Sequence, residues 1–139
     1  FDALYNTKIL RKKINLDCQL VINTPAYSKT EVVEPHLDNN KEIYTGLLYM
    51  KDPDDNLTGG NLLIYEYINK SLYGKLRAKK KDIKLFQTIK YEANKLVFFI
   101  NSPFSLHGVS PREANPNFRK YVNIIGESEE PLFSLDNFF

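Results

Sequence analysis

The chain has 139 residues, of which 42% are hydrophobic and 26% charged, and its 18 aromatic residues are nine tyrosines and nine phenylalanines. This length predicts one domain with a sizeable core, and a net charge of +2 is too small to indicate nucleic acid or a membrane surface as the partner. No apolar run reaches the roughly 20 residues of a membrane span, and the N-terminus lacks a signal-peptide pattern. The single cysteine, Cys18, excludes an internal disulfide and favours a reducing, cytoplasmic location.

The predicted elements begin with a short helix over residues 3–14, in which Leu4, Ile9 and Leu10 share one side. Short strands follow, because runs rich in β-branched and aromatic residues alternate with Asn, Asp, Gly and Pro. The predicted strands cover residues 18–23, 30–34, 43–51, 61–67, 82–90, 95–101, 105–109 and 118–125. Eight short strands at near-regular spacing predict an all-β fold, with a double-sheet jelly roll as its natural form.

The sequence contains two histidines, His36 and His107. Residues i and i+2 of an extended segment point to the same side, so His36 and Asp38 can reach one ion while Leu37 packs on the other side. A closed sandwich can bring the strand of His107 beside them. Two imidazoles and one carboxylate form the facial triad of non-haem Fe(II) oxygenases, which leaves metal positions open. A His-x-Asp pair alone is more often a surface feature. Two observations favour the metal site: the chain has no further histidine, and the segments around these residues match a known pattern, described below.

Several other features are interpreted as structural. Gly59-Gly60 predicts a turn between strands rather than a phosphate cradle, because no Lys-Ser or Lys-Thr follows it. The basic run 77–81 is interpreted as a solvated segment between strands. Tyr27 is assigned to packing rather than to the mouth of a substrate site. Arg112 lies in a proline-containing loop, which predicts a solvated side chain.

Six segments taken together resemble the 2-oxoglutarate- and Fe(II)-dependent dioxygenases, and in particular their prolyl-hydroxylase-like branch. These segments are Pro35-His36-Leu37-Asp38, Thr45-Gly46-Leu47-Leu48-Tyr49-Met50, Thr58-Gly59-Gly60-Asn61-Leu62, Leu96-Val97-Phe98-Phe99, His107-Gly108-Val109-Ser110-Pro111 and Arg119. The resemblance covers residues 18–126 of a single domain over residues 1–139. It implies a double-stranded β-helix of eight strands.

The resemblance implies that His36, Asp38 and His107 are the catalytic residues and the iron ligands. Arg119 would bind the distal carboxylate of 2-oxoglutarate, since a guanidinium group matches a carboxylate in a bidentate geometry. Lys120 is the alternative, because strand alternation turns only one of the two inward. The remaining candidates for the co-substrate site are Tyr49, Thr45 and Asn123. For the tyrosine, a role as a core aromatic is the competing interpretation.

The implied activity is hydroxylation of an unactivated C–H bond, with Fe(II) as the metal and 2-oxoglutarate and O2 as co-substrates. Ascorbate is a further candidate cofactor, and a prolyl or other peptide residue is the favoured substrate, with small molecules left open. Asp38 indicates hydroxylation, because the halogenases of the family carry a small residue there. Ile125 occupies the place of a second arginine in the nucleic-acid-demethylating branch, which counts against nucleic acid as substrate.

Two alternative functions come from other classes. One is a cupin-like metal jelly roll whose chemistry does not use 2-oxoglutarate. The other is a non-catalytic jelly-roll module that binds a sugar or a peptide.

Overall fold

The computed structural model describes residues 13–30, 34–75 and 77–135. These residues form seven strands and two short 3-10 helices. The strands are β1 (Ile14–Asn23), β2 (Glu42–Tyr49), β3 (Leu62–Tyr67), β4 (Ile83–Ile89), β5 (Lys95–Ile100), β6 (His107–Val109) and β7 (Arg119–Ser128), and the 3-10 helices are Lys70–Leu72 and Lys80–Asp82. None of the helices in the described ranges is long and apolar enough to cross a membrane. The predicted all-β fold class is confirmed.

The strands form two antiparallel sheets. The large sheet has the order β1-β7-β2-β5 and the small sheet the order β4-β3-β6. Several strands that are neighbours in a sheet are far apart in the chain, as β1 and β7 show, so the two layers close through long-range pairing in the manner of a jelly roll. This closure brings the chain around His36 against β6.

The observed strand bounds differ from the predicted ones where pairing extends or ends a strand. β1 and β7 are both longer than predicted, because they pair over ten consecutive residues from Ile14 with Ser128 to Asn23 with Arg119. β6 is shorter, because Ser105 is part of a hydrogen-bonded turn with Ser102.

Two predicted elements fall wholly or mostly outside the described residues. Of the strand predicted over residues 30–34, Thr30 makes an isolated antiparallel bridge, and residues 31–33 are not described. The helix predicted over residues 3–14 also lies outside the described residues apart from its last two, of which Ile14 begins β1.

Two apolar clusters pack the fold. The first cluster consists of Leu37, Tyr67, Ala78, Ile83 and Leu106, and the second of Tyr49, Leu57 and Tyr91. Leu37 and Leu106 are the direct neighbours of the candidate metal-binding residues in the sequence. The prediction that Leu37 packs into the core is confirmed, and the first cluster fixes the backbone from which His36, Asp38 and His107 project.

The turn predicted at Gly59-Gly60 is present and lies close to the loop that follows β6. Both glycines have positive φ, at +88° and +69°, a conformation that residues with a side chain rarely adopt. A Cβ atom on Gly59 would lie 1.9 Å from the carbonyl oxygen of Pro111. The missing side chain therefore lets the loop at Pro111 and Arg112 approach the start of β3.

Candidate metal centre and adjoining cavity

His36 and His107 are held side by side by their own backbones. The His36 amide donates to the His107 carbonyl at 2.8 Å, and the His107 amide donates to the His36 carbonyl at 3.0 Å. The two imidazole centroids are 4.7 Å apart. Asp38, two residues further on, points to the same place, so that one ligand atom from each of the three residues lies within 4.8 Å of the others. The structure thus brings together all three predicted metal ligands.

Both imidazoles are oriented by backbone carbonyl groups. Nδ1 of His36 lies 2.9 Å from the Glu34 carbonyl oxygen, and Nδ1 of His107 lies 2.9 Å from the Ser105 carbonyl oxygen. A carbonyl oxygen only accepts hydrogen bonds, so Nδ1 carries the hydrogen and Nε2 of the neutral ring carries the lone pair. The two Nε2 atoms lie 4.0 and 3.4 Å from Oδ1 of Asp38. Such outer carbonyl partners fix ring orientation in metal sites.

The Asp38 carboxylate is positioned by a chain of polar side chains. Thr45 donates from Oγ1 to Oδ2 of Asp38 at 2.9 Å, and Asn101 donates from Nδ2 to the same Thr45 oxygen at 3.0 Å. Oδ2 is therefore engaged by the protein, while Oδ1 faces the histidines. Thr45 was predicted for the co-substrate site, and it does line the cavity, but its shortest donated hydrogen bond orients Asp38.

Replacing Thr45 by valine tests this orienting role. We expect the variant to bind divalent metal about 10- to 100-fold more weakly, the usual effect of losing an outer partner of a metal ligand. Thr45→Ser keeps the hydroxyl group and is expected to bind metal like the wild type. Calorimetric titration with Mn(II) measures both affinities. Equal affinities for the valine and serine variants would show that the hydroxyl group does not orient Asp38.

The charges at the cluster favour a cation. Burial raises the pKa of Asp38, but the hydrogen bond and charge of His107 and the hydrogen bond from Thr45 outweigh it, so the net pKa is lowered. Burial lowers the pKa of His107, yet the hydrogen bond and charge of Asp38 raise it overall. Burial lowers the pKa of His36, which favours the neutral form of this imidazole. An ionised carboxylate beside two ring nitrogens is a set of donors suited to a divalent metal.

Glu42, at the start of β2, has a strongly altered acidity. Burial raises its pKa to about 7, and the charges of Asp38 and Glu127 add to this effect. The folded protein therefore binds more protons than the unfolded chain between pH 4.5 and about 7, and its stability falls as the pH rises through this window.

Glu42→Gln is expected to remove this pH dependence. The variant should unfold at a higher temperature than the wild type at pH 8, where Glu42 is ionised at a cost in the folded state. The difference should vanish below pH 4.5, where the carboxyl group is protonated in both states. Thermal unfolding of metal-free protein followed by circular dichroism measures it, with the exposed Glu129→Gln as control. A difference that stays constant with pH would contradict the assignment.

A cavity of about 490 Å³ adjoins the cluster and lies between the two sheets. The large sheet contributes one wall and the small sheet together with its adjoining loops the other. The lining residues are Asn23, Thr30, His36, Asp38, Thr45, Leu47, Leu62, His107, Val109, Arg112, Arg119, Tyr121 and Asn123. The cavity therefore joins the three candidate ligands to two buried arginines.

Arg119 points into this cavity from the first position of β7 and is 4% exposed. It donates from Nε to the Gly60 carbonyl and from Nη1 to Oδ1 of Asn23, both at 3.2 Å. Its guanidinium carbon lies 4.7 to 5.5 Å from the ring centroids of three tyrosines, Tyr49, Tyr91 and Tyr121. Lys120 points the other way and pairs with Asp52 at 2.8 Å. Of the two rival anchors, Arg119 is thus the one that faces the cavity.

Tyr49 and Asn123 carry buried polar atoms without a protein partner. The Tyr49 hydroxyl group belongs to a side chain that is 1% exposed, and it has no hydrogen bond among the described residues. Burial raises the pKa of this tyrosine to about 12. The side-chain oxygen of Asn123 is also buried and unpaired. Buried polar atoms without a partner cost free energy, and both residues lie on the strands that form the cavity wall. Tyr49 packs beneath Arg119 rather than lining the cavity itself.

Two sequence-based interpretations were wrong. Arg112 is 6% exposed and lines the cavity instead of being solvated, because backbone bridges to Thr30 and Gly59 pull its loop against the sheet.

The second wrong interpretation concerns Tyr27, which is 92% exposed instead of packed. Its neighbour Ala26 is buried and bridges Asn115, and adjacent residues of an extended chain point to opposite sides.

Sequence reasoning also missed other residues of the cavity region. Tyr91 follows β4 in a loop, yet its hydroxyl group donates to the Lys120 carbonyl at 3.0 Å and its ring faces Arg119. Asn23 ends β1 and accepts from Arg119. Tyr91 lies just outside a predicted strand and Asn23 at the very end of one, and neither belongs to a motif, so no signal in the sequence identified them.

Comparison with known proteins agrees with this geometry. The profile of a family described as the 2OG-Fe(II) oxygenase superfamily matches residues 22–124, well over half of the chain. The matched range contains the three candidate metal ligands and Arg119. No curated protein matches the chain significantly.

Proposed function

Because the chain belongs to the 2OG-Fe(II) oxygenase superfamily, we propose that it is a hydroxylase that uses Fe(II), 2-oxoglutarate and O2 to oxidise an unactivated C–H bond. Membership of this family supports an oxidoreductase activity of the dioxygenase type. The observation that supports the hydroxylase assignment best is the convergence of two imidazoles and the Asp38 carboxylate at one end of a cavity whose far end holds Arg119.

The donor set fits Fe(II). His36 and His107 would bind it through Nε2, and Asp38 would bind it through Oδ1, the carboxylate oxygen that Thr45 leaves free. When bound, the metal supplies the activation of O2 that is coupled to decarboxylation of 2-oxoglutarate and to oxidation of the substrate. The carbonyl groups behind both imidazoles hold the rings in place, so the chain presents a rigid, preformed set of ligands.

The cavity also fits 2-oxoglutarate. Arg119 uses two of its five N–H groups on the protein, so N–H groups remain for the distal carboxylate of the co-substrate. The Tyr49 hydroxyl group is buried and unpaired behind this guanidinium group, and its predicted hydrogen bond to the same carboxylate stays a prediction, because Tyr49 does not line the cavity. Apolar side chains between the two ends match the methylene groups of the co-substrate and exclude water, namely Leu47, Leu62 and Val109.

The primary substrate follows only from resemblance to the prolyl-hydroxylase-like branch, so we propose a prolyl or other peptide residue. Asp38 supports hydroxylation, because a carboxylate rather than a small residue completes the ligand set. Three further properties stay predictions: the use of ascorbate, the cytoplasmic location, and the single-domain arrangement over residues 1–139.

Turnover of 2-oxoglutarate tests the proposed function. Purified protein supplied with Fe(II), O2 and 2-oxoglutarate is expected to form succinate slowly by itself, and faster when a panel of proline-containing peptides includes a substrate. Mass spectrometry of the stimulating peptide should then show one added oxygen atom. His36→Ala is the matched background. Succinate formation no faster than in this variant, in folded and iron-loaded wild type, would contradict the proposal.

A further inference from the structure

Arg112 is a second buried cation in the cavity, and the role proposed for Arg119 does not account for it. Its side chain is 6% exposed and lines the cavity wall. It donates from Nη2 to the Thr24 carbonyl at 3.0 Å, and its Nε atom is buried without a partner. None of the ion pairs found in the described ranges includes Arg112 or Arg119.

The two arginines converge on the same end of the cavity. Arg119 is tethered to the side chain of Asn23 and Arg112 to the carbonyl of the next residue, Thr24. Gly60 lies between their aliphatic stems. A Cβ atom built on this glycine would lie 3.1 Å from Cδ and Nε of Arg119 and 3.4 Å from Cγ of Arg112. The absence of a side chain at residue 60 therefore lets the aliphatic stems of both arginines pack against this glycine.

This pair of like charges calls for an anion. Burial lowers the pKa of Arg112, the positive charge of Arg119 lowers it further, and the opposing effects of Tyr91 and Asp55 offset only part of this. Buried cations without a paired anion are costly, because each has lost its hydration without gaining an opposite charge. A carboxylate placed between the two guanidinium groups would offset that cost for both and would receive several charge-assisted hydrogen bonds.

The position of the pair along the cavity indicates which anion binds there. Thr45, which contacts Asp38, lies opposite Ile125 of β7 in the large sheet. Arg119 precedes Ile125 by six residues in the same strand, so it lies away from the metal-binding end of the cavity. Arg112 follows His107 by five residues and continues beyond the end of β6. A primary substrate must place a C–H bond beside the metal. In the proposed function, 2-oxoglutarate carries a second carboxylate at the end remote from the metal, which is where the two arginines lie.

We propose that Arg112 and Arg119 together bind the distal carboxylate of 2-oxoglutarate, and that Arg112 is a residue that selects 2-oxo acids bearing this second carboxylate. The inference rests on the proposed function, since it assigns a second residue to the co-substrate site of that same reaction.

Binding to protein loaded with Mn(II), which occupies the metal ligands without turnover, tests the proposal. Calorimetric titration compares 2-oxoglutarate with 2-oxopentanoate, which has the same chelating head and a methyl group in place of the distal carboxylate. Arg112→Met is expected to weaken binding of 2-oxoglutarate by at least about 10-fold, the effect of one lost hydrogen bond to a charged group. Binding of 2-oxopentanoate should stay unchanged. Lys120→Met, which removes a neighbouring cation outside the cavity, should leave both affinities unchanged.

Arg112→Lys protects the test against misfolding, which circular dichroism detects. This variant keeps the charge and loses the planar fork, so it should show a smaller loss of affinity that is again confined to 2-oxoglutarate. Folded Arg112 variants that bind 2-oxoglutarate like the wild type, or that lose both ligands equally, would overturn the proposal. A wild type that binds neither ligand with Mn(II) present would instead overturn the proposed function itself.

Discussion

Asp38→Ala is expected to abolish turnover of 2-oxoglutarate and to weaken Fe(II) binding by well over the roughly 10- to 100-fold that loss of an outer partner costs. The carboxylate is the only anion among the three candidate ligands, and its Oδ1 faces both Nε2 atoms. Without it, two neutral imidazoles remain to hold a divalent ion, and neither of these ligands carries a negative charge. Iron content after gel filtration and succinate formation measure the two effects.

Asp54→Ala is the matched control for this variant. Asp54 is an exposed carboxylate in the loop after β2 and does not line the cavity, so its loss should leave iron binding and turnover unchanged. If Asp38→Ala retained iron and formed succinate at the rate of the control, Asp38 would not be a metal ligand.

Arg119→Met should raise the KM for 2-oxoglutarate by about 100-fold or more, because two lost hydrogen bonds to a charged group amount to roughly 3 kcal/mol or more. The guanidinium group is buried among three tyrosine rings, which exclude water and strengthen its interaction with a carboxylate. Steady-state succinate formation at varied 2-oxoglutarate concentrations measures the change. Mn(II) binding should stay intact, because Arg119 is remote from the metal ligands.

Lys120→Met is the control for Arg119→Met, because the two residues are adjacent cations on opposite faces of β7. The side chain of Lys120 pairs with Asp52 outside the cavity, so its loss should leave the KM unchanged. A larger KM effect in Lys120→Met than in Arg119→Met would reverse the assignment of the anchor.

The sequence predicted the parts of the site that depend on local geometry. The i and i+2 spacing of His36 and Asp38 placed both on one side of an extended segment, and the structure has them there. Alternation along β7 turns either Arg119 or Lys120 inward, and the structure has Arg119 facing the cavity together with Asn123. The strands themselves were predictable, because β-rich runs are bounded by turn-forming residues.

The parts that depend on tertiary contacts could not be predicted. Arg112 lies in a loop, where side-chain direction is set by backbone bridges to residues that are distant in the chain, Thr30 and Gly59. The full length of β1 depends on its pairing with β7, about a hundred residues later. Thr45 lines the cavity, but its contact with Asp38 depends on how the segment after His36 folds back over β2.

The most direct test of the account is the visible spectrum of the protein under anaerobic conditions. Fe(II) and then 2-oxoglutarate are added, and a metal-to-ligand charge-transfer band is sought. We predict a band with the wild type that is absent from His107→Ala, because chelation of the co-substrate requires iron held by all three ligands. A folded wild-type protein that binds Fe(II) but develops no band on addition of 2-oxoglutarate would contradict the assignment of this cavity as a 2-oxoglutarate site.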